Sequence, residues 1–312
     1  MATQIKTMQT AEMQKITPFL WFDSNAEQAA IFYTTVFNNS SVDNKARYTA
    51  SGARAAGRTK GSVMTVGFRL EDQEFVALNG GPVFEITPAI SFFVNCSSVD
   101  VIDMIWQKLS KEGKILMPLD KYPFSERFGW LKDRFGVTWQ LSLSSDRQKI
   151  VPYLMFAGAQ HGKAEEAMNY YSSLFKNSGL IRLERYDQVD PRGVTGTVKH
   201  GTFFLANQEF MVMDSNLSHP FTFTPGFSFV VKCKTQDEID YFWGKLSDGG
   251  DERAQQCGWL QDKFGISWQI VPAIWSEMLI NADEQKAEKL MQAVLKMKKL
   301  DLAILEKVDQ EG

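Results

Sequence analysis

The sequence predicts an α+β protein assembled from four β-α-β-β-β modules, two to each half of the chain, with a helical tail behind them. Three observations carry this. The stretch Gly129-Trp130-Leu131-Lys132-Asp133-Arg134-Phe135-Gly136-Val137-Thr138-Trp139-Gln140 recurs as Gly258-Trp259-Leu260-Gln261-Asp262-Lys263-Phe264-Gly265-Ile266-Ser267-Trp268-Gln269. The apolar run Ile16-Thr17-Pro18-Phe19-Leu20-Trp21-Phe22 recurs as Ile150-Val151-Pro152-Tyr153-Leu154-Met155-Phe156. In each half a second strand-then-helix pattern follows, at Ala89–Val94 with Asp100–Leu109, and at Gly226–Val231 with the helix behind Thr235.

The apolar runs have strand length, and each leads into a helix. In the first half Ser24-x-x-Glu27 has the capping-box form, and Ala29, Phe32, Tyr33, Val36 and Phe37 share one helical face. Its counterpart is Ala164–Phe175, entered through a longer loop that contains His161. Three strands follow in the first half, Val42–Thr49, Ser62–Leu70 and Glu74–Asn79, the first two joined by a loop holding Gly52, Gly57 and Gly61. In that loop Arg54, Arg58 and Lys60 suggest an anion clamp or an exposed hairpin.

The second helices bury Val101, Ile105, Trp106 and Leu109 in one half and Ile239, Phe242, Trp243 and Leu246 in the other, where Thr235-x-x-Glu238 forms the better capping box. The repeated Asp-x-Phe-Gly stretch then reads as a hairpin, because glycine supplies the positive φ that a tight turn requires. The first half carries a longer flap before this hairpin, around Leu116–Pro123. The boundaries are a polar N-terminus over 1–15, a first domain over 16–143, a polar linker over 144–149, a second domain over 150–272 and a helical tail over 273–312, with Leu290, Val294, Met297, Leu300 and Leu305 at helical spacing.

The 34 basic and 37 acidic residues nearly cancel, which gives no footprint for a nucleic-acid backbone. No apolar stretch approaches the roughly 20 residues that a bilayer requires, so a cytoplasmic protein with no membrane partner is expected. Cys96, Cys233 and Cys257 lack C-x-x-C spacing and read as reduced thiols.

Repeated β-α-β-β-β units, two to a domain, resemble the vicinal oxygen chelate (glyoxalase/bleomycin resistance/dioxygenase) superfamily. In it, pairs of units curl into half-barrels around a small-molecule cavity. More narrowly, Leu-x-x-Gln-Glu-Phe at 70–75 and 205–210, Ala89-Ile90-Ser91-Phe92, the run Cys257–Pro272 and the tail Met291–Leu300 are similar to the PhnB-like group, whose members often carry the label 3-demethylubiquinone-9 3-methyltransferase. The resemblance implies two tandem half-barrel domains that pair within the chain, with a homodimer as a further possibility. A methyltransferase that uses S-adenosylmethionine would require a Gly-rich turn after its first strand, where this chain has Asp23-Ser24-Asn25.

The superfamily's divalent metal is held on the concave face by residues that align with Pro18, Ala77, Ala89 and Gln140, and with Pro152, Val212, Gly226 and Gln269. That set predicts no metal, and no cofactor is expected. His161, His200 and His219 fall outside these positions and read as surface or locally hydrogen-bonded residues. Extending the same parity along each strand predicts a ligand-binding face. In the first half it carries Leu20, Phe22, Phe75, Asn79, Ser91, Phe93, Asn95, Thr138 and Gln140, and in the second Leu154, Phe156, Phe210, Asp214, Ser228, Val230, Lys232, Ser267 and Gln269. The opposite face, with Trp21, Met155, Trp139 and Trp268 among others, would pack on the helices. Asp214 and Lys232 are the only charges on the predicted face. They suggest an ion pair, or Asp214 as a general base. The expected function is metal-independent binding of a small molecule. The alternatives are acid–base chemistry through Asp214 or Gln269 on a quinone-like aromatic substrate, and a purely structural or dimerisation module with filled cavities.

Overall fold

The computed structural model describes residues 13–144, 149–188, 190 and 193–311. Most of the polar N-terminus and of the linker predicted from the sequence lies outside these residues. The first half runs β1 (Ile16–Phe22), α1 (Ala26–Val36), β2 (Ser41–Arg47), α2 (Ala50–Ala56), β3 (Val63–Leu70), β4 (Gln73–Asn79), β5 (Ile90–Cys96), α3 (Val99–Ser110), β6 (Lys114–Tyr122), β7 (Ser125–Lys132) and β8 (Thr138–Leu143). The second half runs β9 (Lys149–Ala157), α4 (Ala164–Leu174), β10 (Gly179–Arg185), β11 (Val198–Leu205), β12 (Gln208–Ser215), β13 (Phe227–Cys233), α5 (Gln236–Ser247), β14 (Asp251–Gln256), β15 (Trp259–Gln261) and β16 (Ser267–Pro272). The tail holds α6 (Trp275–Asn281), α7 (Glu284–Val294) and α8 (Leu302–Glu311).

The four modules assemble across the halves. One eight-stranded sheet has the order β14-β15-β16-β13-β1-β4-β3-β2 and the other β10-β11-β12-β9-β5-β8-β7-β6. The first module therefore shares a half-barrel with the fourth, and the second with the third. Antiparallel pairing of β1 with β13 and of β5 with β9 makes each joint. Within each module the neighbours β1–β4, β5–β8, β9–β12 and β13–β16 run parallel. The two modules of one half therefore lie in different sheets. The halves are tied together by these two strand pairings, each inside a continuous eight-stranded sheet.

Helices α1, α3, α4 and α5 cover one face of the sheets, and a single apolar core runs through all four modules on that side. At its centre the repeated hairpins each place a buried aspartate. Asp133 accepts from the backbone N–H of Phe135 (2.8 Å) and Val137 (3.1 Å), from the Tyr33 hydroxyl (2.8 Å) and from Trp139 Nε1 (2.8 Å). Asp262 does the same with Phe264 (2.9 Å), Ile266 (3.0 Å), Tyr171 (2.6 Å) and Trp268 (2.8 Å). One carboxylate thus closes the turn, fixes a tryptophan and anchors the first helix of another module. This accounts for the closeness of the repeat better than its glycines alone.

Local sequence signals hold at α5, where Thr235 Oγ1 accepts from the Glu238 N–H at 3.2 Å. They fail at α1, whose N-cap is Asn25 without a side-chain bond. Its first N–H is satisfied from far away, by Asn79 Oδ1 at 2.8 Å. The stretch expected to be a glycine loop contains α2, capped by Thr49 and ended by Gly57 at φ 63°. Arg58 pairs there with Asp23 and Lys60 with Glu284, so those two cations are already neutralised. Among the described residues all three cysteines are free, and burial pushes the Cys96 and Cys233 thiols up to about 12. No helix among them is long and apolar enough to cross a membrane.

The tail is three short helices with a break after Leu295 rather than one long helix. Met278, Leu290, Val294, Leu300 and Leu305 form a separate apolar cluster with Val271 and Trp275. The N–H groups of Cys257 and Gly258 donate to the carbonyls of Met297 (2.8 Å) and Lys298 (2.7 Å), beside the β14 edge. At the other edge α6 packs on β2 and α7 on α2, where Ser51 N–H donates to Glu288. The tail therefore touches both edges of one half-barrel and spans its mouth. No described segment does this for the other half-barrel.

Candidate functional site

Strand register settles which side chains share a face, since partners lie on the same side and neighbours alternate. In the sheet made by the first and fourth modules, Leu20 is level with Ala77 and Phe227, and Phe229 is level with Trp268. These residues belong to the helix-covered core. The open face of that sheet carries Thr17, Phe19, Trp21, Val76, Ser228, Val230, Lys232, Gln269 and Trp259. Trp259 meets Phe19 and Trp21 with ring centroids 5.5 and 6.0 Å away.

The second and third modules follow the same rule. Phe92, Trp139, Leu154 and Phe210 face the helices. The open face holds Ser91, Phe93, Asn95, Trp130, Gln140, Val151, Tyr153, Met211, Met213 and His200. Here Val151, Tyr153 and Met211 form an apolar cluster of their own, with Phe93 and Met213 against it. An aromatic line runs inward from the rim, with centroid steps of 5.1 Å from Phe124 to Phe128, 6.4 Å to Phe93, 6.1 Å to Tyr153 and 6.1 Å to His200. Phe124 is 57% exposed at the end of the flap, and Tyr153 only 6%.

The predicted residues therefore share the open side of the sheet in two modules and lie on the helix side in the other two. Ser91, Phe93, Asn95 and Gln140 lie on one open face, and Ser228, Val230, Lys232 and Gln269 on the other, in a different half-barrel. Leu20, Phe22, Phe75, Leu154, Phe156 and Phe210 instead belong to the helix-side core, while Trp21 and Met155, expected there, stand on open faces. Thr138 and Ser267 keep the open-face parity, and Thr138 spends its hydroxyl on the Ile90 carbonyl at 3.0 Å. Of the aligned metal positions, Pro18, Ala77, Pro152 and Val212 fall on the helix side with Leu20 and Leu154.

Asp214 and Lys232 do not meet. Asp214 is buried beneath α4 and accepts from the N–H groups of Gly162 (2.8 Å), Ala164 (3.2 Å) and Val198 (2.9 Å). Burial still raises its carboxyl above the ordinary range, against the pull of those donors. It occupies the place that Asn79 holds in the first half, sealing a strand-to-helix junction. Lys232 pairs across its open face with Glu74, whose carboxyl that ammonium helps hold low against the cost of burial. Replacing Asp214 with alanine is expected to cost about 1–3 kcal/mol, the penalty for stranding buried donors. Hydrogen exchange should speed up at the start of α4; unchanged exchange there would reject the capping role.

Sequence reasoning missed Tyr153, Trp130 and His200. His200 does bond locally, its Nε2 3.1 Å from Thr202 Oγ1, and burial lowers its pKa. The inward polar pairs are neutral. Gln140 Nε2 donates to Ser91 Oγ at 2.8 Å, and Gln269 Nε2 to Ser228 Oγ at 3.1 Å. Hydroxyls and amides are poor donors for zinc, nickel or iron. Among the described residues no three His, Cys, Asp or Glu side chains converge to hold an ion. The superfamily's metal does not fit this donor set.

The family model described as 3-demethylubiquinone-9 3-methyltransferase matches the chain twice, over residues 14–142 and 148–271. The chain belongs to that family. A Bacillus cereus protein described as a PhnB protein of the 3-demethylubiquinone-9 3-methyltransferase type is 43% identical over 42% of this chain and 100% of its own, with a TM-score of 0.39. Glyoxalase I from Zea mays is 11% identical over 85% of this chain and 96% of its own, with a TM-score of 0.52. A single-site mutant of that enzyme gives 13%, 85%, 96% and 0.53. No curated protein matches. The glyoxalase I likeness shows the fold: this member of the 3-demethylubiquinone-9 3-methyltransferase family is folded like glyoxalase I, and its two tandem domains pair within one chain.

Proposed function

We propose that the protein binds a small, largely apolar molecule, without a transition metal, on the open face of the half-barrel formed by β5–β12. The aromatic line from Phe124 to Tyr153 supports this reading most directly. An apolar, ring-lined wall with few polar groups is the usual chemistry of a small-molecule site, and the thioethers of Met211 and Met213 can adjust to an occupant. The flap that carries Tyr122 and Phe124 is longer than its counterpart, β14, in the other half-barrel. There the tail takes the place an incoming ligand would need. A cytoplasmic location fits the three free thiols.

The acid–base alternative loses its proposed base, because Asp214 lies on the helix side. The family's methyltransferase description finds no support in the fold either, since the first strand is followed by Asp23-Ser24-Asn25 and the sheets are mixed rather than doubly wound.

Binding is tested by titrating the full chain with small aromatic compounds in a calorimeter. Phe93→Ala should weaken whichever compound binds by about tenfold, the worth of one buried ring contact. Phe19→Ala, on the tail-covered face, should leave it unchanged. The opposite ranking would place the site in the other half-barrel.

A further inference from the structure

The motif Leu-x-x-Gln-Glu-Phe occurs at 70–75 and again at 205–210, and the fold explains every named residue in it but one. Leu70, Leu205, Phe75 and Phe210 are buried in the core. Glu74 pairs with Lys232, and Glu209 with Lys149. That leaves Gln73 and Gln208, which share the helix-side parity of Phe75 and Phe210. Among the described residues the buried Nε2 of Gln73 has no hydrogen-bond partner, and neither has the buried Nε2 or Oε1 of Gln208.

Both glutamines line a single cleft of about 1210 Å³, together with the end of α4 and the start of α5. None of the residues named above on the open faces lines it. Leu174, Phe175 and Phe242 supply an apolar wall, with the Phe175 and Phe242 rings stacked at 4.7 Å. The cleft's four lysines and four acidic residues cancel, so no net charge draws in an ion. The Gln208 amide sets a stricter condition. Its free edge has an oxygen beside an N–H, and turning the group over exchanges the two but keeps one of each. A matching partner must also carry N–H and C=O on one edge. A trans peptide bond places them on opposite sides, whereas a primary carboxamide or a lactam places them together.

We propose that this cleft binds a neutral molecule with a primary carboxamide or lactam edge on an apolar body. Gln208 pairs with that edge through two hydrogen bonds, Gln73 Nε2 donates to a further acceptor, and the body lies along Leu174, Phe175 and Phe242. Such a ligand satisfies donors and acceptors that the protein itself leaves unpaired, and an analogue lacking them is rejected for that reason. The site is independent of the apolar one on β5–β12.

Benzamide and acetophenone have nearly the same shape and differ by an NH2 in place of a CH3. Titrated into the full chain and followed by ligand-observed NMR, benzamide should bind about tenfold more tightly, because acetophenone sets a methyl group against the Gln208 amide oxygen. Benzoate, charged and without a donor, should bind no better than acetophenone. The lactam isoindolin-1-one should compete with benzamide, and phthalimide, which adds a second carbonyl, should gain several-fold over the lactam. Gln208→Leu should abolish the preference for benzamide, Gln73→Leu the gain of phthalimide, and Phe93→Ala neither. Equal binding of benzamide and acetophenone, a preference that survives Gln208→Leu, or no binding of benzamide and the lactam would each overturn the proposal and leave the apolar site standing. A phthalimide gain that is absent, or that survives Gln73→Leu, would remove Gln73 from it. Gln208→Leu takes away an amide without a partner, so its melting temperature should not fall. A clear drop would reveal a hidden intramolecular bond and also overturn the proposal.

Discussion

Replacing Asp262 with alanine is expected to lower the unfolding free energy by about 3–5 kcal/mol, as in other cases where one partner is stripped from a buried charged network. Four donors lose their acceptor at once: the N–H groups of Phe264 and Ile266, the Tyr171 hydroxyl and Trp268 Nε1. Asp262→Asn should cost less. Its amide oxygen can keep the two backbone donors, while its NH2 group meets Trp268 Nε1 donor to donor. Urea unfolding measures both, and a loss below about 1 kcal/mol for the alanine variant would contradict the anchoring role. Asp133 should behave alike through Tyr33 and Trp139.

The same carboxylate sets a pH dependence. Burial outweighs the four donors and raises Asp262 from 3.8 to about 6. A raised acid holds its proton more tightly in the folded chain than in the unfolded one. Its contribution is therefore fully present below pH 3.8 and is lost as pH rises through about 6, a change of roughly 3 kcal/mol. The stability of the wild type relative to Asp262→Asn, which cannot titrate, should fall across that window. A difference that rises with pH would reverse the assignment.

Removing the tail is expected to have an effect at least as large. A chain ending at Pro272 loses the burial of Met278, Leu290, Val294, Leu300 and Leu305, at about 1.5–3 kcal/mol each. Their sum, on the order of 10 kcal/mol, is an upper bound because the unfolded chain already hides part of that surface. The truncated protein should melt at least ten degrees lower, or fail to fold. Leu290→Ala in the full chain keeps the question answerable, with an expected loss of about 2–5 kcal/mol. Its extra hydrogen exchange should concentrate in β2, β14 and β15, the edges that the tail joins, and spare β10–β12. Flat across eight strands, those edges would stand about 34 Å apart. Exchange that rises equally in both half-barrels would show that the tail does not act as a local strap.

The open face was legible in two modules because polar residues share one parity there: Ser91 and Asn95 on β5, with Phe93 between them, and Thr138 and Gln140 on either side of Trp139 on β8. On β1 and β9 it was not. Those strands are buried on both faces, so their sequences are continuous apolar runs without alternation, and a shift of one residue inverts the assignment. Trp21 and Met155 were placed wrongly for that reason. The caps on α1 and α4 escaped notice because their acceptors, Asn79 and Asp214, come from strands 53 and 50 residues away.

The sequence by itself determined the number of modules, the β-α-β-β-β core of each and the Asp-x-Phe-Gly hairpins, though not the extra helix α2. All of these rest on short-range patterns of turn, period and residue type. Only the tertiary structure decided that the first module joins the fourth and the second the third, which face of β1 and β9 is open, and that the tail closes one half-barrel while the other keeps its ring-lined face. Those outcomes depend on strand edges and apolar surfaces that meet across the whole chain, and nothing local in the sequence distinguishes one pairing from another.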